Sequence, residues 1–389
     1  MGWLEMVISE APSPKGSESA PPQMFALRVV EKPANEFVRT ITDPLNLISV
    51  VGPARSGKST LMNLLAGCKK TELFATYAGM ETFTKGVFVP TRVLTLPQFS
   101  SLEGDPATDD KGSAIKVSFV DTEGQGAVGD VYDMNLFSPA LVTSRIVIYN
   151  RTGGLLTEEI LNQLGMMTQA AKRLQVESST PSASAKGPLF GHLFIIFNQY
   201  RLNKFDDATT LASKLMTEEK ETDSNSKIRN AIRKMLRTVF ESIQVFILPD
   251  RLKSEARDAL SDGTKKFILL EDFEPKYLEY FKLLRVALSR CLVTPRELSA
   301  DNPLTGGSIA DFMPSFADAI NKSEPLNLPS IFEAARNEAI NNALTICSNT
   351  LSSTIAKRLE EDPQATHLLS SLFDRDLSAA LSVLTKSIS

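Results

Sequence analysis

Residues 44–67 read PLNLISVVGPARSGKSTLMNLLAG, and the order of chemistry along this stretch decides the fold. Leu47–Val51 is an apolar run of strand length, and Ser59–Ala66 carries its apolar residues at helical spacing. Between them, Gly52-Pro53-Ala54-Arg55-Ser56-Gly57-Lys58-Ser59 fits G-x-x-x-x-G-K-[ST]. Glycines let backbone N–H groups curl round phosphate oxygens, and the following helix presents the positive end of its dipole. In that pattern Arg55, Ser56, Gly57, Lys58, Ser59 and Thr60 line the phosphates. Lys58 reaches the β- and γ-phosphates and the Ser59 hydroxyl ligates magnesium. A Gly-rich turn of no function rarely sits between a strand and a helix in this order.

Two further stretches fall where such a site needs them. Ile115–Val120 reads as a strand running into Asp121-Thr122-Glu123-Gly124. An acidic residue ending a neighbouring strand is where a phosphate-binding fold holds its magnesium, so Asp121 joins Ser59 as a metal residue. The Gly124 N–H is then available to a γ-phosphate. Between the two elements lies Thr82-Phe83-Thr84-Lys85-Gly86, where a loop hydroxyl can complete a magnesium shell only while γ-phosphate is present.

Beyond the site, apolar strands alternate with amphipathic helices. Phe25–Val30, Val87–Leu96, Arg145–Tyr149, Leu193–Phe197 and Val245–Leu248 read as strands; Glu158–Leu174 and Ile228–Phe240 read as helices. The pattern predicts an α/β domain, a P-loop NTPase with a mostly parallel sheet covered by helices on both faces, over residues 24–300. Residues 1–23, with their Pro/Ser/Gly run Ser9–Gln23, are expected to be a flexible leader. Gln98–Ser113 and Val176–Pro188 read as loop insertions. Over 301–389 strand signals give way to helical stripes, such as Ile309, Phe312, Met313, Phe316 and Ile320, and later Leu368, Leu372, Phe373, Leu377, Leu381 and Leu384. These stripes are read as helix packing, so an α-helical region follows the α/β domain.

Composition excludes several classes. With 42 Lys and Arg against 46 Asp and Glu, the net charge is −4, which speaks against a broad nucleic-acid surface; no nucleic-acid partner is expected. Three cysteines and two isolated histidines, His192 and His367, make neither a disulfide framework nor a zinc site of usual spacing. No signal-peptide pattern opens the chain, and no run of ~18 apolar residues occurs. A cytoplasmic location, peripheral to membranes at most, is the expectation.

The quoted P-loop stretch resembles that of the guanylate-binding proteins and their atlastin relatives, large GTPases of the dynamin superfamily. TFTKGVF, FVDTEGQG, ALVTSRIVIYNRTGGLLTEEILNQL, SKIRNAIRKML, TGGSIADFMPSFADAINK and IFEAARNEAINNAL are similar to that family in the same order, from Met24 to Leu351. The resemblance implies a magnesium-dependent GTPase, with GTP as substrate, that pairs with a second copy of itself through the nucleotide face. It also implies that the helical region meets a membrane or a protein partner. It makes Arg55 an internal arginine finger that neutralises charge in the transition state. Thr82 matches a residue that places the attacking water, Thr84 the metal-binding switch threonine, Asp121 with Glu123 the outer metal shell, and Asp250-Arg251 a guanine-cap segment.

One position departs from the family. Where its members read guanine with Arg-Asp, this chain has Asn198-Gln199, and an amide offers one acceptor atom where a carboxylate offers two. Asn203-Lys204-Phe205-Asp206 nearby is a literal N-K-x-D, set about five residues late. The residues therefore leave guanine and adenine both open. They also leave open a nucleotide-dependent assembly module that hydrolyses slowly or not at all.

Overall fold

The computed structural model describes residues 2–9, 24–30, 34–67, 86–101, 115–124, 130–154, 157–175, 188–200, 207–262, 264, 270–299, 302–322 and 328–361. Thr82, Thr84, Asn203–Asp206 and the Leu368–Leu384 stripe lie outside them. So do most of the two expected insertions.

Five parallel strands form the centre of the sheet: β6 (Lys116–Thr122), β3 (Leu45–Val51), β7 (Ser144–Thr152), β8 (Phe190–Asn198) and β9 (Phe240–Leu248), in that spatial order. Their side chains alternate between two buried faces. Leu193, Ile195 and Phe197 of β8 join one core, and Phe194 and Ile196 the other. Burial on both faces is why these strands read as continuous apolar runs. The first face is covered by α4 (Asp130–Thr143) and α5 (Thr157–Gln175), with α6 (Ala208–Met216) and α7 (Ser224–Val239) beside it. The second is covered by α2 (Lys58–Leu65), α3 (Leu96–Ser100) and α9 (Pro275–Cys291).

The structure corrects the sequence reading in three places. Residues 1–23 are not leader throughout. Gly2–Ser9 is a strand, β1, paired antiparallel with β2 (Met24–Val29) and, through β4 (Val87–Phe88), joined to β6. Trp3 and Leu4 at its start are buried, and the Trp3 indole N–H donates to Asn35 Oδ1 at 3.2 Å. The expected strand Val87–Leu96 divides into β4 and β5 (Leu94–Thr95), with Pro90 between them. It then turns into α3, because Thr95 and Gln98 form a capping box ahead of Pro97. Finally, packing does not break at residue 300. Helix α10 (Gly306–Asn321) buries Ile309, Phe312, Met313 and Phe316 in the same core as the sheet's first face. It is tied down by Leu304, whose carbonyl accepts from Leu45 N–H at 2.7 Å, and by Gly306 N–H donating to Ile41 O at 2.9 Å. Helix α11 (Leu328–Glu361) then packs Phe332 on Phe312.

Candidate nucleotide site

In an open parallel sheet, ligands bind beyond the carboxyl ends of the strands. Here the ends of β3, β6, β7, β8 and β9 bring together five segments distant in sequence. The loop after β3 has the conformation its sequence predicts. Gly52 and Gly57 hold φ of 140° and 82°, a region that favours glycine, and Gly57 caps α2. Arg55 is also left-handed, at φ 62°, and is exposed at the apex of the loop. A non-glycine residue there costs about 1–2 kcal/mol, which the surrounding loop contacts must offset. One such contact comes from β7, where the buried Asn150 amide donates to Ser56 O at 2.7 Å and lies 3.2 Å from Ser56 Oγ.

Lys58 is 7% exposed and folds back so that Nζ donates to Gly52 O (3.2 Å) and Pro53 O (3.0 Å). Burial pushes its pKa down to about 8, against the attraction of Asp121, Glu123 and Asp133. It is thus a buried cation held over loop carbonyls, short of the negative charge that a phosphate would supply. Asp133 on α4 was not singled out from sequence; only the tertiary fold brings its charge towards Lys58.

Ser59 and Asp121 lie together, with Ser59 Oγ donating to Asp121 Oδ2 at 2.6 Å. Both are hard oxygen donors suited to magnesium, whose remaining shell is usually water and phosphate oxygen. Among the described residues, no group of three His, Cys, Asp or Glu side chains could hold a metal ion. Glu123 stands apart from this pair. Its Oε2 accepts from Gly86 N–H and from the Tyr132 hydroxyl, each at 2.9 Å, while its own N–H donates to Gly86 O at 2.8 Å. Glu123 therefore braces the entry to β4 against α4. Gly124 is held by space: a Cβ there would stand 2.4 Å from Ala54 Cα, so only glycine lets this turn lie against the phosphate loop.

At the other end of the loop stand Asn198 and Arg251. Asn198 closes β8 and is 1% exposed. Its Nδ2 lies 3.6 Å from where a Cβ on Gly57 would stand, and an Arg251 Nη lies 3.9 Å from the same point. Gln199 follows in the left-handed region at φ 56°. Arg251, just past β9, is largely buried, and burial lowers its pKa. The Asp250 carboxylate faces Arg257 on α8 (Ser254–Ser261) at 3.8 Å. Thr60 is half-buried in the first turn of α2.

A glycine-rich loop that caps a helix, a lysine returned onto it and a Ser–Asp pair at the next strand define a phosphate-binding α/β domain of the P-loop class. Residues 26–285 match the family "Guanylate-binding protein, N-terminal domain", and the chain belongs to that family. It is similar to Guanylate-binding protein 2 of Homo sapiens, 26% identical over 312 residues, covering 76% of this chain and 48% of that relative. Guanylate-binding protein 1 of Mus musculus is 26% identical over 232 residues, covering 56% of this chain and 36% of its own length. The chain thus spans about half or less of the curated relatives it matches. A solved structure of Toc33 from Arabidopsis thaliana in complex with GDP and Mg2+ overlaps 64% of this chain and 84% of its own at 14% identity, with a TM-score of 0.34. That overlay is too loose to carry an argument.

Proposed function

We propose that this chain binds GTP with magnesium and hydrolyses it to GDP and phosphate. The observation that carries this reading is Lys58, a buried ammonium 3.0–3.2 Å from two loop carbonyls and beside the Ser59–Asp121 pair. Phosphate oxygens add to the negative charge that Asp121, Glu123 and Asp133 already offer this ammonium. Water adds to the γ-phosphorus as the bond to the β–γ bridging oxygen breaks, and the negative charge that builds on the leaving oxygen is met by Lys58 and by loop N–H groups at the start of α2. Magnesium held by Ser59 and Asp121, with Thr84 as the switch ligand, would neutralise β- and γ-oxygen charge. Thr82 positions the water.

Arg55 supplies the last charge. Its exposed place at the loop apex supports a role completed by pairing with a second copy through the nucleotide face, which turns the guanidinium onto the γ-phosphate. The relatives' family supports the same reading. The test is single-turnover hydrolysis alongside light scattering with a transition-state mimic. Wild type should hydrolyse as a dimer, and Arg55→Ala should lose at least ~100-fold in rate while retaining nucleotide. Equal, near-zero rates for both would instead make the chain an assembly module switched by nucleotide occupancy. The same exposure of Arg55 is what favours that second reading.

A further inference from the structure

Two buried polar groups at the base end of the site have no hydrogen-bond partner among the described residues: the Asn198 carbonyl oxygen, Oδ1, and Arg251 Nε. A buried acceptor or donor left unpaired costs stability, so its persistence points to a ligand that completes it. Both side chains flank Gly57, one from the end of β8 and the other from the end of β9. This is the side of the phosphate loop where a base lies when its phosphates sit on the N-terminus of α2. Of the carboxylates next to these segments, Asp250 stands 3.8 Å from Arg257 and Asp207 caps α6, accepting from Thr210 N–H at 2.6 Å.

We infer that this pair reads the 6-keto edge of a purine and leaves the 2-position unread. The inference rests on the nucleotide-binding reading above and narrows its substrate class. A 6-keto purine presents two acceptors, N7 and O6, followed by a donor, N1–H. A guanidinium fork donates to N7 and O6 together, and the Asn198 carbonyl oxygen accepts N1–H. Adenine offers a donor at N6 and an acceptor at N1, so it opposes both groups. The guanine 2-amino group calls for a second acceptor, which a carboxylate has and the single amide oxygen does not. The site therefore separates guanine from adenine but not guanine from hypoxanthine.

Equilibrium titration of the full chain with GDP, IDP and ADP, each with magnesium, tests this. GDP and IDP should bind within about threefold of each other. ADP should bind at least about tenfold more weakly, the discrimination typical of one bidentate base contact. Arg251→Ala should weaken GDP and IDP and narrow their gap to ADP, with Asn198 keeping the remainder, while thermal unfolding shows the variant folded. Asn198→Ala should weaken GDP and IDP alike. GDP binding tenfold or more tighter than IDP would overturn the inference, and loss of that gap in Asp206→Ala would assign the 2-amino group to that carboxylate. ADP binding as tightly as GDP would also overturn it. If none of the three binds, the nucleotide reading itself fails, an outcome distinct from a wrong order among them.

Discussion

Replacing Lys58 by methionine should make the empty protein more stable and deprive it of its ligand. Methionine keeps most of the length and burial of the lysine stem without the charge. Burial moves the ammonium from 10.5 to about 8, and at about 1.4 kcal/mol per unit the charged form carries a penalty of about 3 kcal/mol at pH 7. Against this, Lys58→Met removes the donors to Gly52 O, a buried bond, and Pro53 O, a half-buried one, a loss of about 1–3 kcal/mol. The net gain is about 0–2 kcal/mol, up to a few degrees in Tm. The sign in pH follows from linkage. The folded-state pKa is depressed, so stability is greatest above the unfolded value of 10.5 and declines as pH falls to about 8, below which the penalty stands in full. The wild-type curve should therefore climb between about pH 8 and 10, and the methionine curve should lack that contribution. Scanning fluorimetry with and without a non-hydrolysable GTP analogue and magnesium reads both effects. Wild type should rise in Tm on adding nucleotide, and Lys58→Met should start higher and not move. A methionine variant whose ligand-free form melts below wild type would refute the view that burial of this cation outweighs its partners.

Three other perturbations probe the supporting residues. Gly124→Ala places a methyl group 2.4 Å from Ala54 Cα, so chemical denaturation should show a loss of about 1–3 kcal/mol together with weakened nucleotide binding; an unchanged midpoint would mean that the turn relaxes freely. Asn150→Ala strips a 2.7 Å hydrogen bond from the buried Ser56 carbonyl. It should cost about 1–3 kcal/mol and lower nucleotide affinity, whereas unaltered affinity in a titration would show that the loop keeps its shape without β7. At the opposite end of the sheet, burial lowers the pKa of His192 and the neighbouring Arg145 adds to the effect, outweighing Glu241. Folding thus favours the neutral ring, and stability should drop as pH falls below about 6.5; His192→Gln should flatten the melting curve across that window, and a slope that persists would place its origin elsewhere.

The readable parts of this protein are those whose physics is local. The strand, loop, lysine and helix of residues 45–65 lie within one unbroken stretch, and β-spacing gives way to helical spacing at the motif. The end of β6 at Asp121 was legible for the same reason, and its meeting with Ser59 followed from the rule that both strands end on one side of a parallel sheet. β1 was not legible. It lies ahead of a Pro/Ser/Gly run, and it becomes a strand by pairing with β2 in a register from Leu4↔Val29 to Ser9↔Met24. Glu123 shared a motif with Asp121, but it lies just past the end of β6, where strand alternation no longer sets its direction, and its oxygen reaches Gly86 and Tyr132 instead of the Ser59 side.

By itself the sequence determined the class of fold and the phosphate-loop motif, because each depends on neighbours a few positions apart. The tertiary structure alone decided which distant groups complete the site. Asn150 holds Ser56 across 94 residues, Gly124 fits only because Ala54 lies over it, and Asn198 and Arg251 both flank Gly57 because β8 and β9 are parallel neighbours with Asn198 opposite Leu248. Strand order and register set these meetings. They are settled by which apolar faces bury together over the whole chain, which no local spacing encodes.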